Sequence, residues 1–126
     1  MDRVDSVLIV IGRILFALIF VVAAPRHFSN EGIQHAASLG VPWARVLVPI
    51  SGALAIAGGL MVASGFQGRW GACLLILFLV PVTLSMHRFW LVSDPVNHRL
   101  QIAMFAKNIS LLGTALLLTG KRFWAG

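Results

Sequence analysis

Two cations interrupt long apolar runs: Arg13 in VIGRILF and Lys107 in MFAKNIS. A charged side chain at the centre of a bilayer costs about 2.5–3.5 kcal/mol on insertion scales. Such residues face protein or water, or reach back along their stems to the interface. Other groups able to do chemistry stand near them. His27 follows Arg26 at the end of the first apolar run. His87, Arg88 and Trp90 end the third, and Gln101 and Asn108 flank Lys107 on the fourth. His27, His87, Arg88, Trp90, Gln101, Lys107 and Asn108 form a candidate ligand-binding pocket at one membrane face. No acid lies within the apolar segments, so the pocket would favour an anionic or carbonyl-rich ligand: a quinone oxygen, a lipid phosphate or a sulfur oxyanion.

Several stronger chemistries lack their residues. The chain has no His-Glu-x-x-His, no Gly-rich phosphate loop and no nucleophile elbow. The four histidines lack the i, i+3 or i, i+4 spacing of helix-borne ligands, so no metal site is expected. His87 has no evident carboxylate partner for acid–base work. The single cysteine, Cys73, lies in an apolar run and reads as a packed, inert thiol. No catalytic residue is assigned, and the cofactor stays open, with quinone as a candidate.

The elements that must position these groups are membrane helices. Apolar residues make up 59% of the 126 and charged residues only 11%, with a mean hydropathy of +0.91. A soluble domain is about 45–50% apolar and about 25% charged. The net charge of +6 comes from single, scattered cations and forms no basic stripe, which excludes a nucleic-acid partner. A membrane-crossing helix needs about 20 mostly apolar residues. Four segments qualify, at about 6–24, 46–63, 70–86 and 100–119, and the expected fold is an all-α integral membrane four-helix bundle, one domain over 1–126. Gly65 and Gly120 sit where helix C-termini favour glycine. Pro25 and the interrupting Arg13 argue against a cleaved signal sequence.

Four crossings put both long connections, about 25–45 and 87–99, on one side of the bilayer. The termini and the short SGFQGR link fall on the other. All four histidines then share one side. The Lys and Arg count is tied between sides, and Lys121-Arg122 tips the expectation to cytoplasmic termini. Trp43, Trp70, Trp90 and Trp124 lie near segment ends, as headgroup-level aromatics do.

Helices in lipid associate through close backbone contact. Ser51, Ala55, Gly59 and Ala63 recur at four-residue spacing, and Gly58 widens this packing strip. On the fourth helix, Ala103, Ser110 and Thr114 lie within about 60° of Lys107. Lys107 is therefore expected on a small, polar side that faces the bundle. Pro81 frees a carbonyl in the third helix.

With these features in place, the chain resembles the DoxX family of small four-helix bacterial membrane proteins. The resemblance rests on GRILFALIFVVAA at 12–24, ASLGVP at 37–42, SGALAIAGGLMVASG at 51–65 with GRWGA at 68–72, HRFW at 87–90 and FAKNISLLG at 105–113. The family is named from a membrane subunit linked to thiosulfate:quinone oxidoreductase, and other members are tied to redox homeostasis. Carried over by motif, the positions of interest are Arg13, Gly58, Gly59, Arg69, His87, Phe89, Trp90, Lys107 and Asn108. Many relatives carry an acid shortly before the paired glycines, where this chain has Ala55. The resemblance implies a bacterial inner-membrane protein that is a non-catalytic subunit or accessory of a quinone-linked redox or oxidative-stress complex. Its partners would be the bilayer, other membrane redox subunits or further copies of itself. The alternatives are a quinone- or lipid-binding redox protein with its pocket at His87 and Lys107, and a small oligomeric transporter or channel.

Overall fold

The computed structural model describes residues 2–124. It is all-α: α1 (Arg3–Ala23), α2 (Asn30–Ser38), α3 (Ala44–Ser64), α4 (Gly68–Met86) and α5 (Pro95–Leu118), with short 3₁₀ segments at Ala24–Phe28 and Phe89–Leu91. Four helices are long and apolar enough to cross a membrane.

Each start has a local cause. Asp2 accepts from the Asp5 N–H at 2.8 Å and caps α1. Asp94 accepts from the Asn97 N–H at 2.9 Å with Pro95 as the first helical residue, so α5 begins five residues before the expected boundary at 100. The first long connection, expected as loop, contains α2. Ser29 caps it by accepting from the Gly32 N–H at 3.0 Å. Gly65 ends α3 in the left-handed region at φ 83°, as expected, whereas α5 ends at Thr119 with ordinary helical angles.

The packed pairs are α1–α3, α3–α4 and α4–α5. The long helices thus form an arc with α1 and α5 at its ends. The core runs through Ala17, Phe20, Ala55, Val62, Ala72, Leu75, Leu79, Ala115 and Leu118. The small strip of α3 lies within it: Ala55, Gly58 and Gly59 are buried, and Ser51 and Ala63 half-buried. A Cβ on Gly58 would meet the Gly71 carbonyl oxygen at 2.9 Å, and one on Gly71 would meet the Gly58 oxygen at 3.0 Å. These two glycines let the α3 and α4 backbones touch. A smaller cluster of Ala36, Ala44 and Val48, with Ile33, Val41 and Met86, seats α2 over the end of α3 and α4.

α1 is displaced along its partner. Gly59 faces Ala17, Phe20 and Val21, and Gly52 faces His27, so the antiparallel register carries Arg13 to Gly65, where α3 ends. The α1 segment before Arg13 overhangs α3 by roughly 15 Å at 1.5 Å per residue. Val4, Val7, Leu8, Val10 and Ile11 on this overhang are all exposed.

Candidate functional site at the long-connection end

His27 stands in the 3₁₀ segment after α1, its ring against Phe78 with centroids 5.4 Å apart. Its Nδ1 lies 2.8 Å from Ser51 Oγ, and the Ser51 hydroxyl donates to the Val48 carbonyl at 2.6 Å. A Cβ on Gly52 would come within 2.6 Å of His27 Cβ, so the bare glycine makes room for the ring. This group borders a cavity of about 380 Å³ between α2, α3 and α4, lined by His27, Ser51, Leu54, Leu77, Phe78, Pro81 and Met86 among others.

His87 caps α4, its N–H donating to the Thr83 carbonyl at 3.2 Å. Its ring Nδ1 lies 2.9 Å from Gln101 Oε1, which makes Nδ1 the donor and ties α4 to α5. The Arg88 guanidinium donates to the Leu39 carbonyl and so fastens the end of α2. Trp90 joins Phe89 and Phe105 in edge-to-face contacts at 5.2 and 6.0 Å. His98 Nδ1 donates to the Val92 carbonyl at 3.0 Å.

Lys107 stands apart from all of these. Its side chain is exposed, with Met104 Sδ at 3.8 Å as its polar contact. Ala103 and Ser110 are exposed on the same side, and Thr114 half-buried. The small, polar side expected to face the bundle therefore faces outward. Asn108, 6% exposed, is the polar residue of α5 that faces in. Met104, Asn108, Leu111, Ala115 and Leu118 carry the packed stripe at four- and three-residue spacing.

The seven candidate residues thus lie toward one end of the bundle, with Lys107 and Asn108 deeper than the rest, and divide in azimuth. His87, Arg88, Trp90 and Gln101 cluster where α4 turns into α5. His27 borders the cavity at α2–α4, and Lys107 points away from both. Ser51, on the packing strip of α3, also orients His27, and Pro81 lines the same cavity.

At the opposite end, Arg13 lies level with the α3 terminus. Its Nη1 donates to the Phe123 carbonyl at 3.4 Å, and its Cζ stands 4.7 Å from the Trp124 ring centroid. Its Nε is buried without a partner. Arg69 Nε donates to the Thr119 carbonyl at 2.8 Å, and Trp124 Nε1 to the Leu118 carbonyl at 2.7 Å. Cys73, expected to be packed, is exposed. Among the described residues no group of three or more His, Cys, Asp or Glu is placed to hold a metal.

The DoxX family profile matches residues 8–88, about two thirds of the chain. The chain belongs to the DoxX family. A curated relative, "Inner membrane protein YphA" of Escherichia coli (strain K12), is 30% identical over 115 residues, covering 89% of this chain and 81% of that one. No solved structure matches the chain. With four apolar helices of spanning length, this DoxX-family protein is a multi-pass membrane protein. Trp43, Trp70 and Trp90 are all exposed near helix ends, where indole rings suit the headgroup layer.

Proposed function

We propose that this DoxX-family protein is a non-catalytic subunit of a quinone-linked redox or oxidative-stress complex in the bacterial inner membrane, with its termini in the cytoplasm. The observation that carries the reading is the outward Lys107. The register set by His87–Gln101 puts it roughly 8 Å inside the level where α4 ends, at 1.5 Å per residue. The four acids are Asp2, Asp5, Glu31 and Asp94, none of them on a neighbouring turn. An ammonium at that depth either reaches back along its stem to the interface or meets a partner that offers a carboxylate or carbonyls, and the subunit reading takes the second. The redox assignment itself leans on the family resemblance and on His87, Trp90 and Gln101 as groups near the headgroup level.

Lys107→Met tests this. Tagged wild type and variant are solubilised mildly from their own membranes and compared by native electrophoresis, while the redox state of the extracted quinone pool is followed. The wild type should migrate in a larger assembly, and the variant should remain in the membrane but run free, with a changed quinone pool. A wild type that already runs free, with a quinone pool indifferent to its deletion, would refute the subunit role.

A further inference from the structure

Apart from the exposed Arg26, the cavity beside His27 has hydrogen-bonding groups of one kind. Ser51 has a single hydroxyl proton, and it goes to the Val48 carbonyl. The Ser51 oxygen therefore accepts from His27 Nδ1, which fixes the neutral ring as the Nδ1–H tautomer. Nε2 is left with a lone pair. It has no protein partner among the described residues, yet it is not sealed from outside.

The other polar groups of the lining follow the same pattern. Ser85 sends its hydroxyl proton to the Pro81 carbonyl at 2.6 Å. Pro81, inside α4, has no N–H, so the Leu77 carbonyl one turn earlier loses its helical donor. His27, Ser51, Leu77, Pro81 and Ser85 all line this cavity, which includes no residue of α5. Apart from the exposed Arg26, the lining offers acceptors and no free donor. The remaining wall is apolar.

We propose that this cavity binds a lipophilic alcohol, with the chain on the apolar wall and the hydroxyl donating to His27 Nε2. A quinone carbonyl or an ester without a free hydroxyl, each an acceptor only, would meet an acceptor at His27 Nε2 and be disfavoured there. The volume of about 380 Å³ suits one small ligand or one chain of a larger one. The site lies away from α5 and is independent of the Lys107 reading.

The test uses purified full-length protein in nanodiscs with ¹⁵N-labelled histidine, titrated with farnesol, farnesyl methyl ether, dioleoylglycerol or palmitate. The His27 signals are assigned by their loss in His27→Phe. The expected resting state has a protonated Nδ1 and a bare Nε2. Farnesol or dioleoylglycerol should move the Nε2 resonance, and whichever binds more tightly identifies an isoprenoid or an acylglycerol source. The methyl ether should bind on the order of tenfold more weakly than farnesol, the worth of about one hydrogen bond. In His27→Phe the alcohol and the ether should bind alike. Equal binding of farnesol and its ether to wild type overturns the proposal, as does an Nε2–H tautomer at rest or failure of both alcohols to bind. Palmitate binding tighter than either alcohol and lost in Arg26→Gln reassigns the cavity to a carboxylate.

Discussion

Gly58 and Gly71 show what single residues decide in this protein. Each lacks the one carbon that would collide with the other's carbonyl. In lipid, where apolar side chains gain little by leaving the solvent, such close approach is what holds helices together. Gly58→Val should therefore destabilise the α3–α4 pair by about 1–3 kcal/mol, the usual cost of forcing added carbons into a packed site. Denaturation in mild detergent measures this, and Gly113→Val, where nothing lies within 4 Å of an added Cβ, is the control that should be silent. The four-residue spacing of the strip was legible in the sequence, because small residues at that interval can share only one face. The direction of Lys107 was misread at the same scale. Small neighbours suggested an inward side, but the packed stripe is Met104, Asn108, Leu111, Ala115 and Leu118, whose spacing was equally visible. Small residues on a membrane helix mark a close contact, and that contact need not lie within the same chain.

At the scale of elements, hydropathy found the long helices because a bilayer demands some 20 apolar residues from each. It missed α2, which is short and mostly polar, and the first turns of α5. Their marks were capping residues, Ser29 and Asp94-Pro95, and not apolar runs. Hydropathy also says nothing of how far one helix slides past another. Arg13 lay inside an apolar run, about seven residues in and within partial reach of its own interface. The shift of α1 brings it to the end of α3, where its guanidinium holds the segment after α5 through the Phe123 carbonyl and the Trp124 ring. Arg13→Gln should loosen that segment. Trp124 emission should move to longer wavelength and cleavage between Thr119 and Trp124 should quicken, while Arg3→Gln changes neither. If Trp124 emission is the same in both variants, Arg13 does not hold the segment.

The whole molecule is an arc of four long helices whose end members, α1 and α5, flank one groove lined by Gly12, Phe16, Thr114 and Leu117. Its all-α membrane architecture was legible, because composition and segment length leave few other solutions. The candidate site was legible only in part. Sequence periodicity and chain topology fix the level of a residue in the bilayer, and His27, His87, Gln101 and Lys107 do lie toward the same side. They do not fix azimuth, which comes from the packing of α1 on α3, α3 on α4 and α4 on α5, so His27 and Lys107 end on different faces. The outer side of α5, with Lys107 amid Ala103, Ala106 and Ser110, is where a partner would be needed. A photoreactive benzophenone amino acid at Ala106, leaving Lys107 intact, tests this most directly in living cells. It should give a discrete protein crosslink that disappears when Lys107→Met is added, while the same label at Leu60, exposed on α3 with no charge beside it, gives none. No protein product from Ala106, or a product unaffected by Lys107→Met, would contradict the claim that this face joins the protein to its complex.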